Sequence, residues 1–180
     1  MADIFNKSFI YLLLIFTGLE IASALAFFYP MLAIFFSLLI FGLVFILALK
    51  KIAWGIYIIL AELVVGGFGY LFFLSLPNFN LSIRLMIFLA VMLAWLIKLI
   101  KNRDFSRFKN KYFIWLIPFF LCLVIGLVQS LIYNRELKAI FLDFNNYLFL
   151  FLILPILTSK IELNKIIKII LAGSIFLTLK

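Results

Sequence analysis

The sequence predicts an all-α protein, a polytopic bundle of transmembrane helices, and three observations lead there. Of the 180 residues, 68% are hydrophobic and only 13% are charged, whereas a soluble domain is nearer half apolar and a quarter charged. The apolar residues fall in runs of about twenty, the length of helix that crosses a hydrocarbon core of roughly 30 Å. The cations sit in short strings between those runs, as in Lys50-Lys51 and the stretch 98–111. An aromatic content of 19% excludes a disordered chain. The absence of His excludes His-ligated metal sites and Ser-His-Asp or Cys-His catalysis. A single Cys, Cys122, excludes an intrachain disulfide and any C-x-x-C motif.

Taken in order, the runs give six full spans and part of a seventh. The first covers 9–28 and stops at Tyr29-Pro30. The second, 31–49, stops at Lys50-Lys51. The third covers 52–74 and is followed by Ser75, Pro77, Asn78 and Asn80. The fourth, 81–100, leads into a basic stretch, 101–111, and the fifth covers 112–132. A mixed segment from Tyr133 to Asn146 leads into the sixth, 139–158 at its widest. The last run, 166–179, rises only about 21 Å as a helix and is read as a truncated seventh span of a longer protein. No internal repeat or flexible linker divides the chain, so 1–180 is expected to form a single transmembrane domain.

Orientation follows from Lys and Arg. With a cytoplasmic N-terminus, the inner segments carry twelve cations and the outer segments three, Arg84, Arg135 and Lys138. Ala24-Leu25-Ala26 resembles a signal-peptide cleavage site, but Glu20 interrupts the run before it. The net charge of +9 is explained by these membrane-flanking strings. Membrane lipids are the expected partners, and nucleic acid is not.

Charges inside spans are costly and often functional. Glu20 and Glu62 lie near the middle of the first and third spans, with no basic residue expected at their depth. Each suits a proton or cation site. Each suits better a protonated carboxyl at a helix interface, and beside Glu20 the small residues Gly18, Ala22 and Ala26 form a stripe fitted to close packing. Gly66-Gly67-Phe68-Gly69 predicts a kink or unwound turn in the third span; tight packing is the alternative. Arg84 sits one turn into the fourth span, near the outer surface. Its planar fork matches phosphate, and snorkelling to the interface is the competing role.

The outer segment 133–147 has apolar residues at Leu137, Ile140, Phe141 and Phe144, the spacing of an interfacial helix. Asp143, Asn145 and Asn146 then lie at the outer headgroups. There they could hold a sugar hydroxyl or a cation, or cap the next span. Trp54, Trp95 and Trp115 lie toward span ends, as interfacial anchors do. Cys122 is expected to be buried and inert. No cofactor or metal site is expected.

These residues resemble the N-terminal half of a bacterial O-antigen ligase or polymerase-like membrane protein. The resemblance lies in 62–69 (ELVVGGFG), in 81–85 (LSIRL) opening the fourth span, in 141–149 (FLDFNNYLF) opening the sixth, and in the basic loop between the fourth and fifth. It implies an inverting glycosyltransferase of the bacterial cytoplasmic membrane. Such an enzyme moves a glycan from an undecaprenyl-diphosphate carrier at the outer face, without nucleotide sugar or metal. It also implies Arg residues that hold the diphosphate, for which Arg84 and Arg135 are the candidates here, with Asp143, Asn145 and Asn146 beside them. The family's His in a large external loop has no counterpart in this chain, so no catalytic base is carried over, and the 180 residues are expected to be inactive alone. The competing functions are a secondary transporter or permease using Glu20 and Glu62, and a non-catalytic membrane scaffold.

Overall fold

A computed structural model describes residues 7–66, 72–75, 80–102, 111–133 and 149–179. These residues are mostly helical, with one short hairpin and brief non-helical links at Tyr29, Lys51 and 159–162. Arg135, Lys138, Asp143, Asn145, Asn146, Gly67, Gly69 and the basic loop 103–110 lie outside them.

The first two helices follow local signals. α1 covers Lys7–Phe28 and α2 covers Pro30–Lys50. Pro30 has no N–H to contribute and has a φ suited to the first helical turn. It also forces Tyr29 into an extended conformation, φ −126° and ψ 92°, because its ring disfavours a helical residue before it. Lys51 is likewise extended and alone separates α2 from α3, Ile52–Val65. The predicted first and second spans match α1 and α2 within two residues.

The third span departs from its prediction. α3 ends at Val65 with Gly66 as its C-cap, so it has 14 residues and rises about 21 Å. Beyond it, β1 (Phe73–Ser75) pairs antiparallel with β2 (Asn80–Ser82), in the register Phe73 to Ser82, Leu74 to Leu81 and Ser75 to Asn80. The Ile83 N–H extends the hairpin by donating to the Phe72 carbonyl at 3.1 Å. The expected break at the glycines is therefore present, and the apolar residues after it pair as strand. Open strand edges are not tolerated in hydrocarbon, so this end of the bundle belongs at a polar boundary.

α4 (Ile83–Asn102) starts directly from β2. Ser82 caps it, its Oγ accepting from the Leu85 N–H at 3.3 Å, which is the N-cap to N3 geometry. α5 covers Lys111–Ile132 with Pro118 inside it. In place of a continuous sixth helix, the described part of that span is a 3₁₀ turn, Phe149–Leu152, followed by the short α6, Ile153–Thr158. α7 covers Leu163–Leu179.

Among the described residues three helices, at 9–28, 31–50 and 83–102, are long and apolar enough to cross a membrane by length and composition. α2, α3 and α4 form the core. They meet at Ala48, Gly55, Ala90, Val91 and Ala94, all buried, and small side chains here let the helix backbones come close. α7 lies against α1 and α3, with Ala172 packed with Phe9, Phe16 and Val65, and Gly173 against Val64. Its start is tied down where the Glu162 N–H donates to the Tyr57 hydroxyl at 2.8 Å. The Lys165 ammonium donates to the Glu162 carboxylate at 2.9 Å and lies over the Trp54 ring. That hydrogen bond, helped by the charges of Lys165 and Lys51, holds the Glu162 carboxyl below its usual range against a smaller opposing effect of desolvation.

The outward surfaces are apolar. Phe27, Met31, Ile100, Ile114 and Ile132 are each at least two-thirds exposed, a surface fitted to lipid rather than water. Two expectations about burial are corrected. Cys122 is exposed on α5, because that helix turns most of its face away from the bundle. Trp95 is buried, and its indole N–H donates to Thr158 Oγ1 at 2.9 Å, so it is a core residue rather than an interfacial anchor.

The glycines separate into two kinds. A Cβ at Gly55 would come within 2.6 Å of Val91 Cγ2 and 3.1 Å of Ala48 Cβ, whereas one at Gly42 meets nothing within 4 Å. Gly55→Ala should therefore lower stability by about 1–3 kcal/mol through overpacking. Gly42→Ala should be neutral or raise stability by up to ~1 kcal/mol. Thermal melting of both variants in one detergent checks the contrast.

Candidate functional site: a buried carboxylate–guanidinium pair

The apolar setting makes the placement of charge the most informative feature of the chain. Glu62 stands in the last turn of α3, and Arg84 in the first turn of α4. The break at Gly66 and the β1–β2 hairpin turn the chain back so that these two turns face each other. Arg84 Nε donates to Glu62 Oε2 at 2.7 Å. The Glu62 side chain is 6% exposed and that of Arg84 23%.

This pairing corrects one expectation: Glu62 does have a basic partner beside it. The helix that carries it ends at Val65, one turn later. The residues from Arg84 to Lys98 rise about 21 Å along α4, so the pair lies well toward the hairpin end. Neutralising either group would be the alternative to pairing, but Arg cannot lose its proton in a protein. A guanidinium in apolar surroundings requires a carboxylate, and Glu62 supplies it.

Gly66 completes the site, and the chain requires glycine there. A Cβ at this position would lie 2.5 Å from Glu62 Oε1, 2.7 Å from the Glu62 carbonyl oxygen and 3.1 Å from Arg84 Nη2. The absence of a side chain lets the carboxylate and the guanidinium lie against the backbone. The pair uses Arg84 Nε and Glu62 Oε2, while Glu62 Oε1 is buried without a hydrogen-bond partner. The Nη groups make no hydrogen bond or ion pair among the described residues, so the guanidinium is oriented by Glu62 with its fork left to bind an anion. That is a chemistry to which phosphate oxygens are well matched.

Of the other residues singled out in the sequence, Glu20 is half-buried on α1. Ala22 and Ala26 beside it pack into the core, while Gly18 faces open space, so the small-residue stripe packs over only part of its length. Arg135, Asp143, Asn145 and Asn146 are among the residues the structure does not describe. Gly66 and Ser82 gained roles that the sequence reading had not given them: one seats the ion pair and the other starts the helix that carries Arg84. The signal for Ser82 was present, a Ser directly before an apolar helix.

A buried pair should couple strongly. Removing Arg84 alone leaves an uncompensated carboxylate and should cost about 3 kcal/mol or more. In a double-mutant cycle with Glu62→Gln and Arg84→Gln, detergent melting should give a coupling above ~1 kcal/mol. The same cycle on the exposed Lys51–Glu162 pair should give less than ~1 kcal/mol. Equal, small couplings at both sites would contradict the buried geometry.

No protein-family model, curated protein or solved structure matches the chain. The functional reading therefore rests on these residues.

Proposed function

We propose that the chain is the N-terminal membrane portion of a glycan-transferring enzyme resembling the O-antigen ligases and polymerases. It would lie in the bacterial cytoplasmic membrane as a multi-pass protein and act at the outer face on undecaprenyl-diphosphate-linked glycans. The observation that carries this reading is the oriented guanidinium of Arg84. Transfer from a lipid diphosphate needs a cation that holds the leaving diphosphate and stabilises its growing charge, and a preorganised donor does so without rearrangement. Glu62 would be the positioning residue and Arg84 the contact.

Topology supports the same assignment. Lys50, Lys51, Lys98 and Lys160 gather at one end of the bundle, and Arg84 lies toward the other. The preference of cations for the cytoplasmic side would put the lysine end inside, with the N-terminus, and Arg84 outside. α1, α2 and α4 would then be full crossings. α3 would run from the inner side to the hairpin at the outer boundary, and α5, the 149–158 segment and α7 would supply the fifth, sixth and seventh spans. Arg135, Asp143, Asn145 and Asn146 would fall on the outer side with Arg84.

One observation favours a second reading, a proton- or cation-coupled transporter: the buried, unpartnered Oε1 of Glu62. That reading expects gradient-dependent uptake that Glu62→Gln or Glu20→Gln abolishes.

Nanodiscs doped with undecaprenyl diphosphate or with undecaprenol separate these ideas. Native mass spectrometry should show the diphosphate, and not the alcohol, retained by the wild-type chain. Retention should fall at least tenfold in Arg84→Gln and less in Arg84→Lys, which keeps the charge but loses the fork. Retention of both lipids alike, or an unchanged Arg84→Gln, would overturn the proposal.

A further inference from the structure

At the end of the bundle away from Arg84, the C-termini of α2, α4 and α6 come together around a cavity of about 270 Å³. Among the described residues its lining includes Lys50, Lys51, Lys98, Lys160, Asn102 and Ser159, and no acidic side chain. Lys98 is fixed there, its ammonium donating to the Lys50 carbonyl at 3.0 Å. The Ser159 hydroxyl is buried with no hydrogen-bond partner. On one wall Trp95 is locked to Thr158.

The lysines exceed what the helix ends require. A helix C-terminus carries about half a negative charge, so three of them offset fewer than two cations. The nearby carboxylate, Glu162, lies 3.8 Å from Lys51 and is also held by Lys165 at 2.9 Å. Among the described residues at least one full positive charge is left in a partly enclosed space, beside an unsatisfied hydroxyl. Like charges gathered in this way favour an anion between them.

We infer that this cavity binds a phosphate group, carried by a phospholipid headgroup or by a small soluble phosphate. Its lysines are the ligands and the Ser159 hydroxyl is a further hydrogen-bond donor. Asn102 ends α4, a helix long enough to cross a membrane, so the cavity opens at the depth of lipid phosphates. The site is independent of Arg84, and its failure would leave the glycan proposal standing.

The test uses the whole chain in phosphatidylcholine nanodiscs. One arm adds 20 mol% (roughly) phosphatidylglycerol and the other adds inorganic phosphate; native mass spectrometry and melting are the readouts. Lys160→Gln is the principal variant, because Lys160 is exposed and makes no hydrogen bond or ion pair among the described residues. Lys98→Gln is the second, and Lys7→Gln on α1 is the control. Retention of phosphatidylglycerol that falls at least fivefold in Lys160→Gln and Lys98→Gln, but not in Lys7→Gln, supports a headgroup site. The same pattern with inorganic phosphate alone supports a soluble ligand. Absence of both, or equal losses in all three variants, overturns the inference.

Discussion

The contact between Glu62 and Arg84 governs how this chain turns at the hairpin end of the bundle. A guanidinium cannot discard its charge, so burying it among apolar helices demands a carboxylate held at bonding distance. Meeting that demand fixes the last turn of α3 against the first turn of α4. Gly66 follows from it, since a side chain there would occupy the space of the paired groups. So does the hairpin, which returns the chain within a few residues so that Ser82 can start α4 in the right place.

At the other end the constraint is reversed. Among the described residues Lys50, Lys51, Lys98 and Lys160 share a cavity lining without an acid among them, and Glu162 nearby relieves part of the repulsion. The molecule thus has one compensated polar site and one uncompensated one, separated by apolar packing through Ala48, Gly55 and Val91. Each suits an anion for a different reason. Arg84 offers a single fork held in place by Glu62, whereas the lysines offer several separate point charges. The proposed diphosphate would be held by the first chemistry, and the inferred phosphate by the second.

Much of the helical frame was legible because its signals are local. Tyr29-Pro30 and Lys50-Lys51 mark breaks wherever they occur, and α1 and α2 end where those residues stand. The end of α3 was only half legible. The glycines at 66, 67 and 69 announced a break, but the residues up to Leu74 stay apolar, and hydropathy does not distinguish a helix from a strand in so short a run. The Glu62–Arg84 pair was hidden for a different reason. Its partners are 22 positions apart, and no helical or strand period joins them; only the turn between them does. Trp95 misled because its place near a span end suggested an anchor, while its indole faces Thr158 from a segment more than sixty residues away. The shared side of the lysines followed from charge bias alone, but their shared cavity depends on how α2, α4 and α6 converge.

Labelling from the two sides of the membrane tests most directly whether the two polar ends face opposite compartments. In a Cys122→Ser background, a single cysteine would replace Asn80 in the hairpin or Lys160 at the lysine cavity. A membrane-impermeant maleimide should label the Asn80→Cys variant in intact spheroplasts and the Lys160→Cys variant only after permeabilisation. Labelling of both from the same side would contradict the arrangement of α4 as a crossing helix with Arg84 at its outer end.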